Sequence, residues 1–202
     1  EDFTTHQIED FLAAVERTAR SRGPIAQVHV ANSGAILGHD LRTTTMVRTG
    51  IAAYGYDPNP ALHRTDLHPA LTWRSWVSFV KQVEPGTNIG YGRTWTAERS
   101  TTIATIPVGY ADGFPRLLSN RGVVLLGGRR CPVVGRVCMD QIMVDAGPHA
   151  GTKVGDEAVL IGSQAGETIT ADDMATAAET ISYEITSGLT ARVDRYWINA
   201  SQ

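Results

Sequence analysis

The chain has 202 residues, 42% of them hydrophobic and 19% charged, a balance that fits a folded protein with a sizeable core and excludes a disordered or solvating one. With 18 Lys+Arg against 21 Asp+Glu the net charge is -3, which lacks the basic footprint of a nucleic-acid binder. Apolar stretches such as Val123–Leu126 fall far short of the ~20 residues that cross a bilayer, and the acidic start Glu1-Asp2-Phe3 is no signal n-region, so a soluble, cytoplasmic chain without a membrane partner is expected.

From Thr5 to Arg22 the apolar residues Ile8, Phe11, Leu12, Val15 and Ala19 recur at spacings of three and four, which predicts an amphipathic helix capped at Thr5 and stopped by Gly23-Pro24. Ile25–Ala31 reads as a strand, Asn32-Ser33-Gly34 as a polar turn, and the next residues, to about Asp40, as a short helix. A second such unit begins with the apolar run Met46–Gly55 and breaks at Asp57-Pro58-Asn59-Pro60. Strands alternating with helices predict a parallel α/β arrangement.

After about Leu71 the pattern changes. Short β-branched runs (Trp76–Val83, Thr101–Val108, Gly122–Leu126, Cys131–Val144, Glu157–Ile161) alternate with turn chemistry such as Pro85-Gly86, Asp112-Gly113, Gly127-Gly128 and Gly155-Asp156. They predict a mostly antiparallel β domain or barrel, interrupted by a helix over Thr170–Thr180 with Asp172 and Asp173 in its first turn. The expected division is residues 1–70 and 71–202. The first segment holds too few units to close a sheet or barrel, since a (β/α)8 barrel takes about 250 residues. Either another chain completes it or it is a piece of a larger protein.

The cysteines, Cys131 and Cys138, would stand roughly 23 Å apart on a straight strand at about 3.3 Å per residue, beyond disulfide reach. They also lack zinc-site spacing, and buried thiols are expected. Trp73, Trp76, Trp95 and Trp197 read as core or interface anchors, and His63 and His68 as surface-loop histidines with no metal.

Candidate chemistry gathers at the strand ends. His29-Val-Ala-Asn32-Ser33 closes a predicted strand where binding sites collect in parallel α/β folds, although an Asn-Ser turn also serves as a plain helix cap. Arg48-Thr-Gly50-Ile51 sets a glycine just beyond a strand, where backbone N–H groups can approach a phosphate; a rim arginine beside a packing glycine is the other reading. In Gly90-Tyr91-Gly92 the glycines weaken a strand and leave the phenol open, which makes Tyr91 a candidate acid or base as well as a turn residue.

Five motifs stand in order: His-x-Ala-Asn-Ser, Val-Arg-x-Gly-Ile-Ala-x-Tyr-Gly, Gly-Tyr-Gly-x-Thr-Trp, Gly-Tyr-Ala-Asp-Gly-Phe-Pro-Arg and Gly-Arg-Val-Cys-Met-Asp-Gln. Together they resemble the carboxyl-terminal part of alanine racemase over essentially the whole chain. The resemblance implies an α/β plus β fold, the last part of a (β/α)8 TIM-like barrel followed by a mostly antiparallel β domain. It also implies a pyridoxal-phosphate enzyme that interconverts L- and D-alanine, supplying D-alanine for peptidoglycan, as a head-to-tail homodimer with composite sites.

By motif, Tyr91 resembles the base on the L-alanine side, reaching into the partner subunit's site. Ser33, Gly50, Ile51 and Tyr183 match the cofactor-phosphate ligands, with Asn32 beside them, and Arg48 matches the arginine facing the pyridine nitrogen. Met139 resembles the residue at the substrate carboxylate, again from the opposite subunit, while Arg136, Asp140, Tyr110 and Ile181 match positions that line or shape the entry. The chain departs from the family chiefly in one respect: the lysine that holds the cofactor is missing, as are the barrel arginine that helps the carboxylate and the barrel histidine that links the tyrosine to the strand arginine. The lysines present are Lys81, in a β-rich run, and Lys153, in a turn, and neither stands in the family's context. The 202 residues by themselves are therefore expected to be inactive. Two other readings remain at this stage, a broader-specificity racemase acting on serine and a non-catalytic binding or dimerisation module.

Overall fold

The computed structural model describes residues 2–40, 44–59, 66–148 and 151–198. The chain divides into two units, residues 1–70 and 71–202.

The first unit opens with α1 (Asp2–Arg22). Ile8, Phe11, Leu12, Val15 and Ala19 are all half-buried along it, as an amphipathic face requires, and the charged residues from Glu9 to Arg22 are exposed. The helix begins three residues before the expected cap. Residues 2–4 are already helical, so Thr5 lies inside the first turns and cannot cap. At the other end Gly23, with φ 89°, takes the left-handed conformation that ends the helix, its N–H donating to Ala19 O at 2.9 Å.

The expected strands at 25–31 and 46–50 are extended segments without a ladder. They run in the same direction, with Thr45 N–H and Met46 N–H donating to Val28 O and Arg48 N–H to Ala31 O. The return bond that a parallel pair needs is intercepted: Val28 N–H donates to Thr45 Oγ1 at 2.8 Å, so a side-chain hydroxyl stands where a strand carbonyl would. Helix α2 (Ser33–Gly38) and a 3-10 turn (Ile51–Tyr54) follow the two segments. Val28, Ala31, Ile51 and Tyr56 are buried here. Pro60 and the His63–Thr65 part of the expected histidine loop lie outside the described residues; His68 is exposed.

The described residues of the second unit hold ten strands: β1 (Trp73–Trp76), β2 (Phe79–Val83), β3 (Asn88–Ile89), β4 (Trp95–Thr96), β5 (Thr101–Ile106), β6 (Val123–Leu126), β7 (Arg129–Pro132), β8 (Ile142–Gly147), β9 (Glu157–Gln164) and β10 (Glu167–Ile169). Every ladder among the described residues is antiparallel. One sheet runs β1-β9-β6-β7 with β10 on β9, and another runs β2-β5-β8. The isolated bridge Val133 to Val144 joins the two sheets beside β7 and β8, and the chain passes from β1 to β2 through Val77 and Ser78, so the sheets are linked once by hydrogen bonds and once covalently. The interior is built from Ile103, Ala104 and Ile106 of β5, Val124–Leu126, Ile142, Val144 and Ala146 of β8, and Ala158–Ile161.

The expected run from Cys131 to Val144 is two strands separated by turns, because Gly135 (φ 78°) and the bond from Cys138 N–H to Gln141 O fold the chain back. Likewise Trp76–Val83 is split at Val77, whose N–H and O both bond to the 155–156 turn. Helices α3 (Ala171–Ala177) and α4 (Ser182–Gly188) pack together. Thr170 caps α3 in a full capping box with Asp173, at the expected place. Of the tryptophans, Trp73 is buried with its ring 6.1 Å from that of Phe114, and Trp95 is half-buried, but Trp76 and Trp197 are exposed and anchor no core within the unit. Cys131 is buried as expected, whereas Cys138, in the turn rather than a strand, is half-buried.

Candidate functional site

In the first unit two helical N-termini meet at one hydroxyl. Asn32 caps α2, its Oδ1 accepting Ala35 N–H at 3.1 Å, and this holds the next residue, Ser33, inward and 2% exposed. Ser33 Oγ accepts the N–H of Gly50 at 2.9 Å and of Ala52 at 3.3 Å, at the start of the 3-10 turn. The first N–H groups of a helical turn have no acceptor within it, and that of Ile51 lies between the two that Ser33 takes. A Cβ at Gly50 would meet only Ser33 Oγ, at 3.6 Å, so the space beside the glycine is open. This arrangement suits an anion: a hydroxyl, backbone donors and room to approach them.

Arg48 is exposed at the rim of the same group. Its Nη1 contacts His29 Nδ1 closely and reaches His29 O at 3.5 Å. A guanidinium only donates, so His29 Nδ1 is the accepting side of this contact. Asn32, Ser33, Arg48, Gly50 and Ile51, singled out from sequence, are thus neighbours through five bonds that run from residues 48–52 to 29–33.

The second unit gathers two groups. Tyr91 is 76% exposed at the head of a 3-10 turn (Tyr91–Arg93) between β3 and β4. The turn has φ above zero at Gly90 (74°), Gly92 (72°) and Arg93 (50°). A Cβ at Gly90 would lie 3.2 Å from Arg136 N, so the backbones bearing Tyr91 and Arg136 are in contact.

The other group is centred on Gly109, where a Cβ would sit 2.2 Å from Met139 O and 2.3 Å from Cys138 O. Only glycine admits that approach, and it lets Tyr110 N–H donate to Cys138 O and Ala111 N–H to Met139 O. Tyr110, Met139 and Asp140 therefore share one surface, all exposed. Arg192 bridges the two turns, its Nη2 2.8 Å from Asp140 Oδ1 and its Nε 3.2 Å from Asp112 Oδ1, while Asp112 Oδ2 accepts Gly109 N–H at 2.8 Å. Its bond to Asp140, with the Asp112 charge beside it, pushes the guanidinium further above its ordinary value, so it stays charged. Tyr183 lies on α4, whose last residue, Gly188, packs against Gly113; Ile181 precedes that helix and is exposed.

Sequence reasoning missed Arg192, Asp112 and Asn120. Asp112 lies within a quoted motif but marks only a turn there, and Arg192 stands in the charged stretch Arg192-Val-Asp-Arg195, where nothing separates a bridging arginine from a solvated one. Asn120 stands in Ser119-Asn120-Arg121-Gly122, where nothing in the neighbouring residues separates a bridging amide from a solvated one. Among the described residues no group of three or more His, Cys, Asp or Glu side chains could hold a metal, and no helix is long and apolar enough to cross a membrane.

Fold and polar groups together define an α/β plus β protein with a cluster of backbone donors and a hydroxyl at two helix starts and a β domain that exposes a phenol. Residues 70–197 match the family model described as alanine racemase, C-terminal domain, and residues 1–58 that of the N-terminal domain. The chain belongs to the alanine racemase family. It is 61% identical to an alanine racemase of Cutibacterium acnes over 98% of this chain and 52% of that protein. Among solved structures, the alanine racemase of Bacillus anthracis with bound L-Ala-P superimposes with a TM-score of 0.92 at 35% identity, covering 100% of this chain and 52% of that one. The alanine racemase of Bartonella henselae with covalently bound pyridoxal phosphate gives 0.78 at 37% identity, over 93% and 51%. The chain thus spans about half the length of the relatives it matches.

Proposed function

We propose that the protein to which these residues belong is a cytoplasmic, pyridoxal-phosphate-dependent alanine racemase, a homodimer that interconverts L- and D-alanine by two bases and supplies D-alanine for peptidoglycan. The exposed Tyr91 phenol, on a turn whose glycines hold it clear of its own strands, carries this reading. Residues 1–70 are read as the last part of the barrel and 71–202 as the β domain. The residues present fit the phosphate end of the cofactor: Ser33 Oγ, the N–H groups of Gly50 and Ile51 and the space beside Gly50 make a cup. Asn32 keeps Ser33 in place by capping α2.

When bound, pyridoxal phosphate supplies an electron sink that weakens the Cα–H bond of the amino acid. Ser33, Gly50 and Ile51 would hold its phosphate, and Tyr183 is a phosphate ligand by the family resemblance. Arg48 would meet the ring nitrogen, and because a guanidinium only donates hydrogen bonds it would leave that nitrogen as the acceptor. The ring would then be a weaker electron sink, which would favour return of the proton over side reactions. Tyr91 takes the Cα proton of L-alanine at its phenolic oxygen and returns it there in the opposite direction. Met139 and Arg136 stand at the substrate carboxylate and the entry, with Tyr110, Asp140 and Ile181 shaping the approach. Tyr91 and Met139 reach into the partner subunit's site. The second base is a lysine outside this chain, since Lys81 is exposed on β2 and Lys153 in a turn, so these 202 residues alone are inactive.

The test is Tyr91→Phe in the complete polypeptide. Exchange of the Cα proton of L-alanine with solvent should fall by about 10²-fold or more, the scale of a lost general base, while exchange from D-alanine is retained. Equal loss from both enantiomers would remove Tyr91 from its role. Parallel assays with serine decide the substrate preference.

A further inference from the structure

The turn that carries Tyr91 is short and strained. It is held in the strands by two-residue β3 and β4 only, and Arg93 adopts φ 50°, a left-handed conformation that costs a side-chain-bearing residue energy. Such a turn persists only where its surroundings fix it. Below, Ile89 is buried in a cluster with Val83, Ala97, Ile103 and Val134, against which Trp95 and Met143 pack; this fixes the base of the hairpin and not its tip.

At the tip one side chain spans the gap. Asn120 Nδ2 donates to Thr94 O at 3.3 Å and to Thr94 Oγ1 at 3.2 Å, at the residue that closes the Tyr91 turn, while its Oδ1 accepts Gly135 N–H at 2.6 Å. The orientation of the amide follows from its neighbours, because a backbone N–H must meet oxygen and a carbonyl must meet N–H. Asn120 itself sits at φ 59°, a conformation asparagine tolerates better than most residues. Next to it Ser119 Oγ accepts Val137 N–H at 2.9 Å, so the pair grips both sides of Arg136.

We infer that Asn120 is a positioning residue for Tyr91: it clamps the Tyr91 turn to the Gly135–Val137 segment and sets the distance between the phenol and Arg136. It touches neither substrate nor cofactor. The inference rests on the reading of Tyr91 as the L-alanine-side base, and it adds that the aim of this base is set from a loop distant in sequence.

The experiment compares Asn120→Gly, Asn120→Asp and Tyr91→Phe in the complete polypeptide. Glycine keeps the positive φ and removes the clamp; aspartate keeps the acceptor for Gly135 N–H and loses the donor to Thr94 O. The expected result for Asn120→Gly is a loss of about tenfold or more in Cα-proton exchange from L-alanine, since displacements near 1 Å can cost up to about 10²-fold. Exchange from D-alanine, the pyridoxal-phosphate affinity and the melting temperature should change far less, and Asn120→Asp should fall between Asn120→Gly and the parent. The amide of Gly135 should also exchange faster with deuterium in Asn120→Gly. Unchanged L-alanine exchange in Asn120→Gly, or equal loss from both enantiomers, would overturn the inference while the Tyr91→Phe result leaves the base assignment standing. If Tyr91→Phe itself spares L-alanine exchange, the base assignment fails and this inference falls with it.

Discussion

The hydroxyl oxygen of Ser33, itself 2% exposed, accepts the Gly50 N–H at 2.9 Å, so one small side chain ties the start of α2 to the start of the Ile51–Tyr54 turn. Ser33→Ala would strand two backbone donors, those of Gly50 and Ala52, in a partly buried place. A cost of about 1–3 kcal/mol in stability is expected from groups left unpaired in this way. In the complete polypeptide the same change should weaken pyridoxal-phosphate binding, measurable by titration, with the thermal melt giving the stability part.

Gly109→Ala tests the contact that brings Tyr110 to Met139. The new methyl would overlap backbone oxygens at 2.2 and 2.3 Å, and neither can move without dragging the Cys138–Gln141 turn. A loss of about 2–4 kcal/mol, on the scale of severe overpacking, should appear in denaturant unfolding. If the melt of this variant matched the parent, the close approach would be wrong.

Arg192→Ala addresses the bridge between Asp112 and Asp140. Exposed ion pairs contribute little because water and salt screen them and ordering the side chains has an entropic cost. Its melting temperature should therefore drop less than that of Gly109→Ala, and the difference from the parent should shrink further at high salt. The local effect should be larger: the amides of Tyr110 and Ala111, which bond to Cys138 O and Met139 O, should exchange faster with deuterium.

The two thiols should react slowly near neutral pH. Burial is the main cause that raises Cys131, with the Asp145 charge adding and Arg129 and the Leu126 backbone opposing; burial alone raises Cys138. A raised thiol pKa in the fold means that the folded state holds the proton more tightly than the unfolded chain. The stability linked to this is complete below the ordinary thiol value of ~8.5 and is lost as pH rises above it. Alkylation at pH 7 should modify Cys138 slowly and Cys131 only on unfolding, and thermal stability should decline between pH 8 and 10 by less in a Cys131→Ser variant, compared with its own value at pH 7.

Much of this was legible in the chain. The period of Ile8, Phe11, Leu12, Val15 and Ala19 gives α1, Thr170 with Asp173 gives the start of α3, and the ordered motifs carry the family resemblance that the comparisons bear out. These signals are local: they depend on spacing and on capping groups a few residues apart. The start of α1 lies before the Thr5 cap that the sequence suggests, because residues 2–4 already take the helical conformation, and the segments at 25–31 and 46–49 do not pair as strands because local β propensity does not say which group will accept a given N–H. Thr45 Oγ1 takes that of Val28, and no pattern in either segment announces it.

The sequence by itself determined the kinds of group available, a phenol between glycines, a serine after an asparagine cap and a glycine beyond an arginine, because residue chemistry and turn preference are written in adjacent positions. Only the tertiary structure decided which of them meet. Asn120 bonds to residues 26 earlier and 15 later, and Arg192 bonds 52 positions back to Asp140. Contacts at such separations are chosen by strand pairing and by the few glycines that admit a second backbone, and neither is encoded in the immediate neighbours of the residues they join.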